Sequence, residues 1–161
     1  MNPSFLNETN NKKEGTNVNV ITTFEDRRRK KQWDFERQVL RKLSLSTIRG
    51  FIHTHFPSVF EEQKTGGSFV EDICVDFAID AYLLGAEFSR FGYHGETAIL
   101  VRRRCQEEYD EHVNHLYHQL SGLIFQNDQN DNFYILCEGF ILYWWEKGFY
   151  EGEKRYRLKL H

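Results

Sequence analysis

The sequence predicts an all-α protein, a single-domain bundle of four to five helices around one buried helix at about residues 68–91. Two observations support this fold class. Apolar side chains recur every three or four residues from Val70 to Phe91, and other apolar residues cover the opposite side of the same stretch. The 161 residues include only two prolines and 11 glycines, which favours helices over many short strands.

The helix at 68–91 is predicted to be buried because it leaves room for only a narrow polar strip. A helix that is apolar on nearly all sides needs neighbours on nearly all sides. Ser68 is its predicted N-cap, Glu71 completes a capping box, and Gly92 is its predicted end. The polar strip consists of Asp72, Asp76, Asp80 and Glu87, which we expect to face solvent, to pair with arginines or to hold a cation.

Four further helices follow from the same periodicity. Ser44 is the predicted N-cap of the second helix along the chain, and Pro57 is its predicted stop. The segment from Pro57 to Gly67 is predicted to be a loop, and the basic segment after Tyr150 a short strand or a frayed turn. The four helices are expected at about 26–43, 45–55, 96–125 and 132–150.

Composition sets limits on domain organisation and location. Residues 1–17 are rich in Asn, Thr and Lys and are predicted to be a disordered tail, whereas 18–161 form a single helical domain. The net charge of −3 argues against a dedicated nucleic-acid binder. The sequence shows no secretory signal and no apolar run of membrane-spanning length. Three cysteines without a C-x-x-C pair are predicted to be buried and reduced, as in a cytoplasmic protein: Cys74, Cys105 and Cys137.

A candidate metal site combines two predicted helices. Glu108, His112 and His115 lie at one edge of the apolar stripe of the 96–125 helix, and Asp76 and Asp80 are four residues apart on the buried helix. Carboxylates and imidazoles on facing helices can bind one divalent metal ion. The Glu-x-x-His motif of di-metal bundles is absent, so a solvated acidic face with histidines at its edge is the simpler interpretation.

Candidate partner-binding residues fall in two places. The short loop after the buried helix carries Tyr93, His94 and Glu96, which can form an exposed recognition edge, although a tight turn between helices explains the same residues. Trp144 and Trp145 in the last helix are expected to divide between the core and the surface, where an exposed Trp would mark a partner site.

Three stretches carry a resemblance to a known family. They are LSLSTI (43–48), CVDFAIDAYLLGAEFSRFGYHGE (74–96) and WWEKGF (144–149). They resemble the uncharacterised YbaK family of Bacillus and its relatives, a domain of unknown function, from about residue 18 to the C-terminus. The resemblance implies a small cytosolic protein of spore-forming bacteria and implies no activity. A tRNA-editing deacylase of the same name is a mixed α/β protein that this sequence does not resemble.

The sequence favours a non-enzymatic interaction or regulatory protein without catalytic residues or a cofactor, since no nucleophile–base signature is visible. Its partner would be another protein or a second copy of the chain. One alternative is a metal-binding helical bundle with hydrolase activity and a divalent metal ion as cofactor. The other is nucleic-acid binding through the basic clusters at 27–31, 102–104 and 154–159.

Overall fold

The structure, a computed structural model, describes residues 23–62, 67–124 and 131–158. Within these ranges the protein is all-helical, and the tail predicted at 1–17 lies outside them. The described residues form seven helices, where four to five were expected. They are α1 (Phe24–Leu40), α2 (Leu45–His55), α3 (Pro57–Glu62), α4 (Gly67–Tyr93), α5 (Ala98–Arg104), α6 (Gln106–Ile124) and α7 (Asp131–Arg157).

Two local features explain the higher helix count. The helix predicted at 96–125 is divided at Cys105, whose φ of −114° and ψ of 33° interrupt the helical backbone between α5 and α6. The short helix α3 forms where a loop was predicted. It begins at Pro57, and the fixed φ of proline suits the first position of a helix. Pro57 therefore follows the end of α2 and also starts the next helix.

The helix ends differ from the predictions in ways that have local causes. Ser44 caps α2 as predicted, with its hydroxyl oxygen accepting a bond from the Thr47 N–H at 3.4 Å. Ser68 is not a cap, because α4 already begins at Gly67. Gly92 does not end α4, which continues to Tyr93. The residue with positive φ in the following turn is Gly95, at 102°.

The last helix continues through the segment predicted as a strand or a frayed turn. It ends at Arg157 instead of near Tyr150. Two ion pairs at i,i+4 spacing support the added turns: Glu151 with Arg155 at 3.5 Å, and Glu153 with Arg157. Acidic residues followed by basic residues four positions later stabilise a helix, so this charge pattern was the available sign of continued helix.

The closest helix packing in the described residues is between α4 and α7. A Cβ atom on Gly85 would lie 1.9 Å from the carbonyl oxygen of Trp145, and one on Gly148 would lie 1.8 Å from the carbonyl oxygen of Tyr82. These distances are far shorter than any non-bonded contact of a Cβ atom, so the two backbones touch at positions that have no side chain. Glycine is therefore required on both helices at this contact.

The contacts also show that α4 and α7 run in the same direction. Tyr82 of α4 meets Gly148 of α7, and further along both helices Ser89 meets Gly152. A parallel pair of helices needs a long connection, which α5 and α6 provide. The contacts of α6 show that it runs antiparallel to α7. The Tyr109 hydroxyl donates to the Glu138 carbonyl oxygen at 3.5 Å, whereas Tyr117, later in α6, contacts Phe133, earlier in α7.

The core is continuous across all seven described helices and contains the three cysteine side chains. Cys74, Cys105 and Cys137 are free thiols with no exposed surface. Burial raises the pKa of Cys74 to about 12, of Cys105 to about 11 and of Cys137 to about 12. They remain protonated at neutral pH and act as small apolar side chains. Among the described helices, none is both long enough and apolar enough to cross a lipid bilayer.

An ion-pair cluster joins α2 to the start of α4. Arg49 pairs with Glu71 and, at 3.3 Å, with Asp72, while the His53 ring lies 2.9 Å from Glu71. Glu71 was predicted to take part in capping its own helix and instead links two helices. The Arg49 guanidinium lowers the pKa of the Glu71 carboxyl below its ordinary value.

This shift predicts a pH-dependent contribution to stability. Because the folded pKa of Glu71 is lowered, its contribution is full above the unfolded pKa and is lost as the pH falls through the folded pKa. We expect Glu71→Gln to lower Tm by about 2 °C at neutral pH, with the difference from wild type closing in acid. Thermal melts from neutral to acidic pH measure this. A constant difference would show that the carboxylate charge is not responsible.

Candidate functional site

A groove lies between the turn that joins α4 to α5 and the last turns of α7. Its volume is about 600 Å³. Both walls mix apolar and charged side chains, and it is open to solvent. The lining residues are Glu96, Thr97, Ala98, Phe149, Tyr150, Glu153, Lys154 and Arg157. We refer to these eight residues as the α5–α7 groove.

The two walls of the groove are held by local interactions. Thr97 caps α5, its hydroxyl accepting a bond from the Leu100 N–H at 3.4 Å, and so fixes where α5 begins. Glu96 accepts two bonds from Arg104, from Nε at 2.8 Å and from Nη2 at 2.6 Å. The Arg104 guanidinium lowers the pKa of Glu96. Phe149 is buried on the opposite wall and stacks on Trp145 with ring centroids 5.2 Å apart.

Apolar side chains are exposed in the groove and at the two positions that follow Ala98 on α5. Ile99 and Leu100 of α5 are 59% and 47% exposed, and Tyr150 of α7 is 55% exposed. The next residue of α5, Val101, is fully buried and joins the core. Ile99 and Leu100 therefore leave about half of their surface accessible to a partner.

The predicted recognition edge lies at one end of this groove. Glu96 lines it directly, and the last residue of α4, Tyr93, and the first residue of the turn, His94, are exposed. The Tyr93 ring is stacked on Tyr156 of α7 with centroids 5.8 Å apart, and it meets the His94 ring edge-on at 5.2 Å. The structure thus places these three residues together, next to the end of α7.

The tryptophan pair does not lie on the surface. Trp144 is 2% exposed and Trp145 is fully buried, so neither side chain is available to a partner. The expectation that one of them reaches the surface is corrected here. Trp145 contributes its backbone to the close contact with Gly85, and Trp144 packs edge-on against the Phe51 ring at 5.5 Å. Both are core residues that join α7 to its neighbours.

The five predicted metal ligands are placed along α4 and α6. Asp76, Asp80, Glu108 and His115 are exposed and His112 is half-buried. The His112 Nδ1 lies 2.6 Å from the Glu108 carbonyl oxygen, so this nitrogen is occupied by the backbone of its own helix. In the part of the chain that the structure describes, no three His, Cys, Asp or Glu side chains form a group that could hold a metal ion.

Two of these residues nevertheless influence one another. Partial removal of water by neighbouring atoms raises the pKa of Asp80, although its side chain is still exposed. Nearby His112 lowers this pKa and nearby Asp76 raises it. Of the acidic strip, Asp72 pairs with an arginine, Arg49 of α2, at 3.3 Å.

A second cavity was not predicted from the sequence. It lies where the end of α1 meets α7, has a volume of about 470 Å³ and is lined by Gln38, Arg41, Lys42 and Arg155. Arg41 and Lys42 follow a long basic helix, and Arg155 belongs to the segment predicted to be a short strand or a frayed turn. No local pattern links positions so far apart, so only the folded chain brings them together.

These features define a class of protein: an all-helical bundle, within the described residues, whose surface carries an open groove bordered by exposed apolar side chains. The chain belongs to the family described as "Protein of unknown function (DUF2521)", whose profile matches residues 18–161. It is 30% identical over 148 residues to the uncharacterised protein YbaK of Bacillus subtilis (strain 168). The alignment covers 87% of this chain and 97% of that relative. The resemblance seen in the sequence is thereby confirmed. No solved structure matches the chain.

Proposed function

We propose that this chain is a non-enzymatic interaction protein that binds a segment of a partner protein at the α5–α7 groove. The exposure of Tyr150 in the groove, and of Ile99 and Leu100, which follow the groove residue Ala98 on α5, is the observation that supports the proposal. Apolar side chains clustered at a concave surface and rimmed by charges are typical of protein–protein contact sites. Tyr150 adds an aromatic ring to this surface, and tyrosine is enriched in such contacts.

The charges around the groove indicate what kind of segment fits it. Glu96 and Glu153 are neutralised by arginines of this chain. Lys154 lines the groove and Arg103 is exposed on α5, and neither forms an ion pair within the described ranges. The charge left for a partner is therefore positive. We assign the groove to a segment that carries apolar side chains flanked by Asp or Glu, since a second copy of this chain would present the same cations.

Site-specific photocross-linking tests this assignment. A photoreactive amino acid replaces Leu100 in one variant and the exposed Gln119 of α6 in the control. Both are produced as tagged chains in Bacillus subtilis, and the cross-linked segment is sequenced by mass spectrometry. We expect an acidic, apolar segment of one protein to be cross-linked at position 100 and not at position 119.

The identified segment is then measured with purified proteins. We expect Ile99→Ser/Leu100→Ser to weaken its binding by about tenfold or more, and Gln119→Ser to leave it unchanged. Equal binding by the two variants would contradict the proposal. A cross-link to a second copy of this chain would point to self-association instead of a partner segment. In that case sedimentation should show dimers of the wild type and monomers of the double variant.

The two alternatives from the sequence rest on weaker observations. The coupling between Asp80 and His112 supports the metal alternative, and elemental analysis of protein purified without chelators tests it. The nucleic-acid alternative rests on the basic runs of α1, α5 and α7. Arg104 and Arg157 already pair with carboxylates of this chain, which reduces the charge available to phosphates. Salt-sensitive binding to DNA or RNA would favour it.

A further inference from the structure

The cavity between the end of α1 and α7, called the basic cavity below, is lined in the described part of the chain by three cationic side chains and one amide. Its lining residues are Gln38, Arg41, Lys42 and Arg155, and its volume is about 470 Å³. Among the residues that the structure describes, no carboxylate lines it. It is separate from the α5–α7 groove, since the two share no lining residue.

Arg155 is the buried and hydrogen-bonded member of the cavity lining. It is only 8% exposed, which is rare for an arginine. Its Nη1 donates to the Gln38 side-chain oxygen at 3.2 Å, and its Nη2 donates to the Gln38 backbone oxygen. Its buried Nε has no hydrogen-bond partner, and the nearest carboxylate, Glu151, lies 3.5 Å away. The guanidinium is therefore fixed in position while one donor remains unsatisfied.

The surrounding charges do not balance. Arg41 and Lys42 are exposed, and within the described ranges neither forms an ion pair. Three cations thus line the cavity, and Glu151 is the one carboxylate of the described residues that pairs with any of them. The oxygen of the Gln38 amide is occupied by Arg155, so its NH₂ group is the end left to donate.

We propose that the basic cavity binds a phosphate group. A phosphate monoester carries about −1.5 to −2 charges at neutral pH and three acceptor oxygens, which matches two uncompensated cations and several free donors. Arginine and lysine together are the residues that recognise phosphate oxygens in proteins. The volume leaves room for the phosphate and a small organic group beside it. The ligand class is a soluble phosphate ester or a phospholipid headgroup.

Titration calorimetry at constant ionic strength tests this site with inorganic phosphate, glycerol phosphate and vesicles of phosphatidylglycerol as probes. The test variant is Arg41→Gln/Lys42→Gln. The control is Arg28→Gln/Lys31→Gln, which removes the same charges from exposed positions of α1 outside the cavity. We expect saturable binding by wild type and control, weakened about tenfold or more in the test variant. Arg155 is left intact because it also supports the fold.

The three probes identify the source of the phosphate. Saturation by free glycerol phosphate indicates a soluble ester, whereas binding to vesicles alone indicates a lipid headgroup. Absence of saturation by every probe at about 20 mM phosphate would overturn the proposal. Equal weakening in the test and control variants would overturn it too, since it would show general attraction to the basic helix instead of a site.

Discussion

Replacing Gly148 by alanine is expected to lower the free energy of unfolding by about 3–4 kcal/mol, or to prevent folding. The added Cβ would lie 1.8 Å from the Tyr82 carbonyl oxygen. That oxygen belongs to the backbone of α4 and cannot rotate away, so the two helices must separate. Separation would loosen the packing along the whole contact between α4 and α7, including the contact of the Phe149 ring with Gly92 of α4.

The matched control is Gly139→Ala in the same helix. Its Cβ would meet the His55 ring at 3.6 Å, an ordinary contact, so we expect no loss and a gain of about 0.5–1 kcal/mol from helix propensity. Urea denaturation followed by circular dichroism measures both variants. If Gly148→Ala were as stable as Gly139→Ala, that result would contradict the close approach of the α4 and α7 backbones.

Periodicity explains why most of the helical architecture could be predicted. The apolar spacing from Val70 onward forms one face only on a helix, and α4 covers Gly67–Tyr93, within two residues of the predicted ends. Ser44 was identified because a side chain that caps a helix acts on the backbone a few residues away. These features depend on neighbours in sequence, which the sequence shows directly.

Features that depend on neighbours in space could not be predicted in the same way. The division of the fourth predicted helix at Cys105 has no proline or glycine to announce it. The glycines at 85 and 148 are ordinary in sequence, and only the facing backbone makes them necessary. Trp144 and Trp145 were expected to divide between core and surface, yet the packing on several sides of α7 buries both.

The candidate sites show the same division between local and distant information. Tyr93, His94 and Glu96 are adjacent in sequence, so their proximity could be predicted, although the α7 residues that complete the groove could not. Gln38 and Arg155 are 117 positions apart in the sequence, so the basic cavity that they line together could not be predicted. Ile99 and Leu100 were predicted to lie within one long helix, and their exposure follows from how the short helix α5 packs in the folded chain.

Replacing Arg155 by methionine is expected to cost about 2–3 kcal/mol of stability, the magnitude of lost charged hydrogen bonds. Arg155 completes the end of α1. The Lys42 N–H, which would bond to the Gln38 oxygen in a continuing helix, donates instead to Val39 at 3.1 Å. Arg155 supplies a donor to that Gln38 oxygen from α7. Methionine keeps similar volume and leaves the oxygen without this bond.

Hydrogen exchange locates the effect, and Arg157→Met provides the control. Arg157 pairs with Glu153 on the surface of the same helix, so we expect its loss to cost less than about 0.5 kcal/mol. In Arg155→Met the amides of α1 should exchange faster while those of α6 change little, because only α1 loses its anchor. Equal stability of the two variants, or uniform exchange changes along the chain, would show that Arg155 does not hold α1. Since Arg155 also lines the basic cavity, the same anchor positions Arg41 and Lys42, and faster exchange at α1 should accompany weaker phosphate binding.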